Sequence, residues 1–339
     1  MPVRKFVYIF LIVGTVILIP AGFLLKEDKV SPEPAPVSVP VVLPEQKTYT
    51  LLFTGDIMLG RSVEKRILKE QDPLYPFVRI ADVIQKADLA FANLEGPISD
   101  RGVNQGSEYS FRFEPVGTVN ALNFAGFDVV SIANNHVWDW GSDALVDTVS
   151  YLQKAGIDSV GAGKDEQEAN APLIRKLGDT RIAFLSYTNL YPKSLEASGD
   201  QPGISRFDLE AVKKRIQVLK STEADLVVIS MHWGEEYATS SNYFQKETGR
   251  ALIDAGADLV IGTHPHVVQE VERYQKGYIV YSLGNFVFDQ YFSKATMTGL
   301  MFKVALLGNK IIDARSIPIT LTPTFQPYIP GTSGDPMVY

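Results

Sequence analysis

The chain has 339 residues, 45% of them hydrophobic and 11% aromatic, enough apolar material for one large α/β domain or two smaller ones. The formal net charge is −7, and since Arg4 and Lys5 are the charged side chains of the first 25 residues, the remainder carries −9. That sign argues against a nucleic-acid partner, because phosphate backbones select basic surfaces. Cysteine is absent, which excludes disulfides, thiolate ligands and a cysteine nucleophile, and leaves His, Asp, Glu and Asn as ligand candidates.

In chain order, residues 1–5 carry Arg4 and Lys5, and residues 6–25 (FVYIFLIVGTVILIPAGFLL) hold no charge. About 20 apolar residues span a bilayer core. The run is long for a signal peptide and no small-residue cleavage site follows, so it reads as an uncleaved transmembrane anchor. The positive flank puts residues 1–5 in the cytoplasm and the rest of the chain outside. Residues 26–46, rich in Pro and Val without periodicity, read as an extended extracytoplasmic linker.

From residue 47 onward strands alternate with helices. TYTLLFTGD reads as a buried strand, followed by helices over 62–70 and 76–85; ADLAFANLEG and GFDVVSIANNH read as strands, with a helix over 143–155 after them. RIAFLSY, a helix over 209–220, ADLVVISMHWG, a helix over 243–255 and ADLVIGTHPH continue the alternation, and hairpin-like strands follow from residue 267. The apolar runs lack polar alternation, as strands buried on both faces do. The pattern predicts an α/β sheet sandwich with helices outside. Asp88, Asp128 and Asp258 each open a strand, which reads as helix-to-strand turn chemistry.

All four histidines follow strand-like runs: His136 in SIANNHVWDWG, His232 in VVISMHWGEE, and His264 and His266 in LVIGTHPHV. Two further runs end in carboxylates, Asp56 in LLFTGD and Glu95 in LAFANLEG. Strand C-termini of open α/β sheets are where such folds build their sites. Imidazoles, carboxylates and an amide converging there form a ligand set for Zn, Mn or Fe, so the chain reads as a metal-centred enzyme or the descendant of one.

Asp56, on a Gly turn, faces a metal or caps the next helix. Asn135 is credible as a ligand only beside stronger ones, and His136 next to it is placed to donate a proton to a departing oxygen. His264 and His266, on a segment expected to be extended and stiffened by Pro265, point the same way and form the most specific local signal. His232 alone reads as a core histidine. Trp138, Trp140 and Trp233 beside these histidines read as packing or as apolar walls that strengthen local electrostatics. Arg61, one turn beyond Asp56, binds an anionic substrate bidentately or is a surface helix cation. Glu235 and Glu236, following His232, read chiefly as solvated loop charge, or else as supports for the ligands or a base.

The order GD, a carboxylate in NLEG, NH, H and H-x-H resembles the calcineurin-like metallophosphoesterases. More closely, GDIMLGR, FANLEGP, ANNHVWDWG, ISMHWGEEY, GTHPHVVQ and YSLGNFVFDQ resemble the CapA/PgsA family of poly-γ-glutamate capsule proteins, over roughly residues 49–290. The resemblance implies a four-layer αββα metallophosphatase-like sandwich over 47–339, preceded by one transmembrane helix. It also implies a place in capsule biosynthesis at the cell surface beside membrane-bound synthetase subunits. Carried over by motif, Asp56, Glu95, Asn135, His232, His264 and His266 become ligands for one or two divalent ions, and His136 the general acid.

Two departures matter: Met58 stands where phosphoesterases carry the histidine of D-x-H, and Glu95 replaces a shorter Asp. A thioether is a poor ligand for Zn or Mn, so one metal position is expected to be weak or open to water. The function implied is a metal-dependent hydrolase acting on a phosphoester intermediate or on the polymer's γ-amide. The alternative is a non-catalytic assembly or export subunit.

Overall fold

Strand β1 (Thr48–Ile57) is apolar on both faces because both are covered: Leu51 and Phe53 pack against a second sheet, Leu52 and Ile57 against helices. It is the central strand of a computed structural model that describes residues 47–106 and 108–332. The expected anchor over 6–25 and linker over 26–46 lie outside the described residues. Among the described residues no helix is long and apolar enough to cross a membrane.

After β1 come α1 (Arg61–Glu70), α2 (Ala81–Ile84), β2 (Leu89–Leu94), α3 (Pro115–Ala125), β3 (Val129–Ser131), α4 (Gly141–Lys154) and β4 (Asp158–Val160). Next are β5 (Ala162–Gly163), α5 (Glu166–Ala169), β6 (Leu173–Leu177), β7 (Thr180–Thr188), β8 (Gly203–Ile204), α6 (Leu209–Val218), β9 (Leu226–His232), α7 (Tyr243–Asp254) and β10 (Leu259–Thr263). The last part is β-rich: β11 (Val271–Tyr274), β12 (Gly277–Val280), β13 (Asn285–Val287), β14 (Thr298–Leu307), β15 (Lys310–Leu321) and β16 (Pro327–Tyr328).

One sheet runs β16-β15-β14-β1-β2-β3-β4, with β13 also paired to β1; the other runs β11-β12-β10-β9-β7-β6. Within them β1–β4 are parallel neighbours, as are β7, β9, β10 and β12, while β14 pairs antiparallel to β1. Phe53 and Phe91 meet Phe184 and Val228 between the sheets. Outside the first sheet lie Val63, Leu122 and Leu145 of α1, α3 and α4, and outside the second lie Val212, Ile216 and Leu252 of α6 and α7. The layers are therefore helices, sheet, sheet, helices, the mixed α/β sandwich expected.

The Asp residues that open strands act across the sheet rather than within their own turns. Asp88, Asp128 and Asp258 accept the main-chain N–H groups of Thr50, Ala90 and Val227 at 2.7–2.8 Å, each tying a strand entry to its parallel neighbour. The helix expected over 76–85 is instead a 3₁₀ turn at Tyr75–Phe77 and the four-residue α2. Helix α3 falls where the sequence reading places no element; its cap supplies the signal, with Pro115 at the first turn and the Glu114 carboxylate accepting from the N–H groups of Val116 and Gly117.

Gly55 permits a close approach near the end of β1. A Cβ there would fall 1.8 Å from the carbonyl oxygen of Gly284. The N–H of Asp56 donates to that same oxygen at 3.0 Å, and Asp56 pairs with Asn285 of β13. The GD pair thus brings β13 and Asp56 together at the sheet's C-terminal edge.

Candidate metal centre

The ends of β1, β2 and β9 bring Asp56, Glu95 and His232 together, all fully buried, with one potential ligand atom from each inside a 4.8 Å radius of the others. Asn93, on β2, holds this group. Its Nδ2 donates to Asp56 Oδ1 at 2.8 Å, lies 3.4 Å from Glu95 Oε2, and lies 3.3 Å from His232 Nδ1. Thr263 Oγ1 stands 3.0 Å from the same His232 nitrogen, and Asn135 Oδ1 stands 2.8 Å from Nε2. A proton on Nε2 satisfies all of these contacts. Burial, then the like charge of Asp56, pushes the Glu95 carboxyl well above the usual carboxylate range, and Glu95 Oε1 has no hydrogen-bond partner.

His264 and His266 follow β10 as expected, but not on extended backbone. Their φ angles are 96° and 59°, both left-handed, and it is this kinked path that turns both rings toward the cluster. The N–H of His264 donates to Asp56 Oδ2 at 3.2 Å. Its ring lies 4.9 Å from that of His232, and its buried Nδ1 has no partner. Burial, then neighbouring His266, pushes its imidazole down to about 3; burial and the other histidines push His232 well below its ordinary value, so both rings are neutral at pH 7. His266 Nδ1 lies 3.0 Å from Asn285 Oδ1 and 3.5 Å from Asp56 Oδ2, while its Nε2 lies 3.6 Å from Glu95 Oε1. Glu236, which reads from sequence as loop charge, forms a second potential ligand group with His264 and His266.

His136 stands at the edge of the cluster. Its Nδ1 donates to Asp139 Oδ2 at 2.7 Å, its Nε2 lies 3.9 Å from Glu95 Oε1, and its ring stacks on Phe111 with centroids 3.9 Å apart. The apolar walls expected from tryptophan are supplied by other aromatics: Phe111 on His136, and Phe288, 4.6 Å from His266. Trp233 points away into the core behind the second sheet and donates to the Tyr281 carbonyl, Trp140 stacks under Arg112, and Trp138 packs on the first core.

Arg61 pairs with Asp289 at 3.1 Å, with its guanidinium 5.4 Å from the Phe111 ring. Met58 is wholly buried in the first apolar core and offers the cluster no donor.

Two buried carboxylates beside neutral imidazoles, with Glu95 Oε1 and His264 Nδ1 left unpartnered, are costly as bare protein. They fit a divalent transition ion, whose ligands are carboxylate oxygens and neutral imidazole nitrogens. The residues missed from sequence, Asn93, Asp139 and Asn285, carry no periodicity or spacing signal; only their places inside FANLEGP, ANNHVWDWG and YSLGNFVFDQ mark them.

A family profile described as bacterial capsule synthesis protein PGA_cap matches residues 50–290. The chain is 33% identical over 316 residues to the capsule biosynthesis protein CapA of Bacillus anthracis, covering 91% of this chain and 75% of the relative. It is 34% identical over 266 residues to the PGA biosynthesis protein CapA of Bacillus subtilis (strain 168), covering 76% and 69%. In fold it is similar to a novel phosphatase from Mycoplasma pneumoniae, at 14% identity and a TM-score of 0.51 over 81% of this chain and 95% of that one. The profile spans every motif that reaches the cluster, from Asp56 to His266, and the chain belongs to the bacterial capsule synthesis family PGA_cap.

Proposed function

We propose that the protein is a metal-dependent hydrolase of poly-γ-glutamate capsule biosynthesis, acting on a phosphoester, with its globular domain held outside the cell by the residue 6–25 anchor. The observation that carries this reading is the gathering of Asp56, Glu95 and His232 in one ligand group and of His264 and His266, with Glu236, in another beside it, with a proton donor at the edge. Paired metal positions suit in-line displacement at phosphorus. The names of its relatives support the pathway, and membrane-bound synthetase subunits are its proposed partners.

Asp56, Glu95, Asn135, His232, His264 and His266 would hold the ion or ions, Mn, Zn or Fe. A bound divalent ion supplies Lewis acidity and makes water acidic enough to act as a nucleophile near neutral pH. Asn93 and Asn285 orient the ligands, the first through Asp56 and His232, the second through His266. Asp139 fixes the His136 ring so that Nε2 faces the cluster, and from there Nε2 delivers a proton to the leaving oxygen. Phe111 covers the face of that ring and limits water around it. Arg61, tethered by Asp289 beside Phe111, is the proposed contact for an anionic substrate group.

The second reading, a non-catalytic assembly or export subunit, draws on Met58, whose burial in the core removes one donor that phosphoesterases use. Hydrolysis of bis(p-nitrophenyl) phosphate by the metal-loaded and metal-stripped protein separates the two. Turnover that depends on the ion supports the hydrolase; a loaded protein inert toward phosphomonoesters and diesters supports the assembly subunit.

A further inference from the structure

Glu236 lies on the loop that follows β9, and that loop is pinned to the segment carrying the paired histidines. The N–H of Trp233 donates to the Thr263 carbonyl at 3.1 Å and the N–H of Tyr237 to the Pro265 carbonyl at 2.8 Å. Gly234 and Tyr237 both take left-handed φ, 91° and 64°, so the backbone turns sharply on either side of Glu235 and Glu236. Gln290 Nε2 donates to the Tyr237 hydroxyl at 3.2 Å and ties the far end down.

The outcome is one carboxylate oxygen of Glu236 and one ring nitrogen each of His264 and His266 lying within 4.8 Å of one another. Donors on one ion sit at about 2.0–2.2 Å from it, so two of them are at most about 4.4 Å apart. An exposed glutamate closes that small gap by side-chain rotation. His264, a residue only 6% exposed, keeps a buried Nδ1 with no hydrogen-bond partner.

We infer that Glu236 is a metal ligand: with His264 and His266 it forms a two-histidine, one-carboxylate position for a divalent transition ion, supplying from a surface loop the donor that Met58 does not. Two histidines, one carboxylate and open positions are a donor set that binds Zn and leaves room for water or substrate. The inference rests on the metal reading of the proposed function.

Calorimetric titration of the metal-free full-length protein with Mn²⁺ and with Zn²⁺ tests it, comparing wild type, E236Q and E235Q. Because Glu236 is exposed, metal-free E236Q should melt with wild type, so a lost ion is not a lost fold. E236Q should lose one equivalent of ion or bind at least about tenfold more weakly, with E235Q unchanged. An E236Q protein that binds as wild type does, or an E235Q protein weakened to the same degree, overturns the assignment while leaving the metal centre standing. A wild-type chain that takes up no ion overturns the metal reading and this inference with it.

Discussion

The Nδ1 of His136 donates to Asp139 Oδ2 at 2.7 Å, and the same oxygen accepts the main-chain N–H of Phe111 at 2.8 Å. One carboxylate thus fixes both the imidazole and the aromatic residue stacked on it. If His136 is the proton donor, His136→Ala should lower turnover by about 10²–10⁴ while metal content stays near wild type. Asp139→Asn should give a smaller loss of kcat, also without loss of metal. Asp56→Ala should lose metal and turnover together. A His136→Ala protein that loses metal as Asp56→Ala does would make His136 a ligand rather than an acid.

Gly55 and Gly284 form the tightest backbone approach near the site. The 1.8 Å between a Cβ at residue 55 and the Gly284 carbonyl leaves no room for any side chain, and backbone on both sides resists movement. Gly55→Ala should therefore destabilise by about 3 kcal/mol or more, toward the upper end of overpacking costs. Because β13 carries Asn285 and β1 carries Asp56, metal affinity should fall with stability. Thermal unfolding of the variant checks this; a melting curve like wild type would mean the two strands do not approach this closely.

Metal uptake should release a proton. Burial and Asp56 raise the Glu95 carboxyl well above 4.5, so the metal-free protein holds that proton where a free carboxylate would not. For the metal-free fold the sign follows: this group's contribution to stability is fully present below its unfolded value near 4.5 and is lost as pH rises through the raised folded value. An arriving ion must displace the proton, so affinity should rise with pH across that window. His264, lowered to about 3, and His232, also lowered, are already neutral at pH 7 and should release none there. Titrations in two buffers of different ionisation enthalpy measure the release. Glu95→Gln should abolish it, and a wild-type protein that releases no proton would contradict the assignment.

Much of the site is legible in the sequence because its residues sit directly after apolar runs: Asp56, Glu95, His232 and the paired histidines all end strands, and the strand ends converge. The sandwich with helices outside follows from strands apolar on both faces; its four layers are what the family resemblance implies. What the sequence does not carry is the second ring of contacts. Asn93 lies inside a strand, and Asp139 and Asn285 lie within ANNHVWDWG and YSLGNFVFDQ, where nothing in the spacing singles them out. Their roles come from distances across three or more elements. The T-H-P-H segment reads as extended because Pro265 favours it, yet its flanking histidines are left-handed. The tryptophans next to the histidines mislead for a similar reason: adjacency in sequence sends alternate side chains to different layers, and Trp233 goes to the far core.

The central claim, a metal centre that hydrolyses phosphoesters, is tested most directly by metal analysis paired with a rate. Full-length protein purified without added metal would be assayed for bound ions and for phosphodiester hydrolysis, before stripping, after stripping, and after return of Mn²⁺ or Zn²⁺. His264→Ala, which removes one of the paired imidazoles, would be carried alongside. The account predicts bound divalent transition metal in wild type, a rate that falls on stripping and returns with the ion, and a folded His264→Ala protein with sharply lower occupancy. A wild-type protein that is metal-free as isolated, and whose stability and rate both ignore added Mn²⁺ and Zn²⁺, would contradict it.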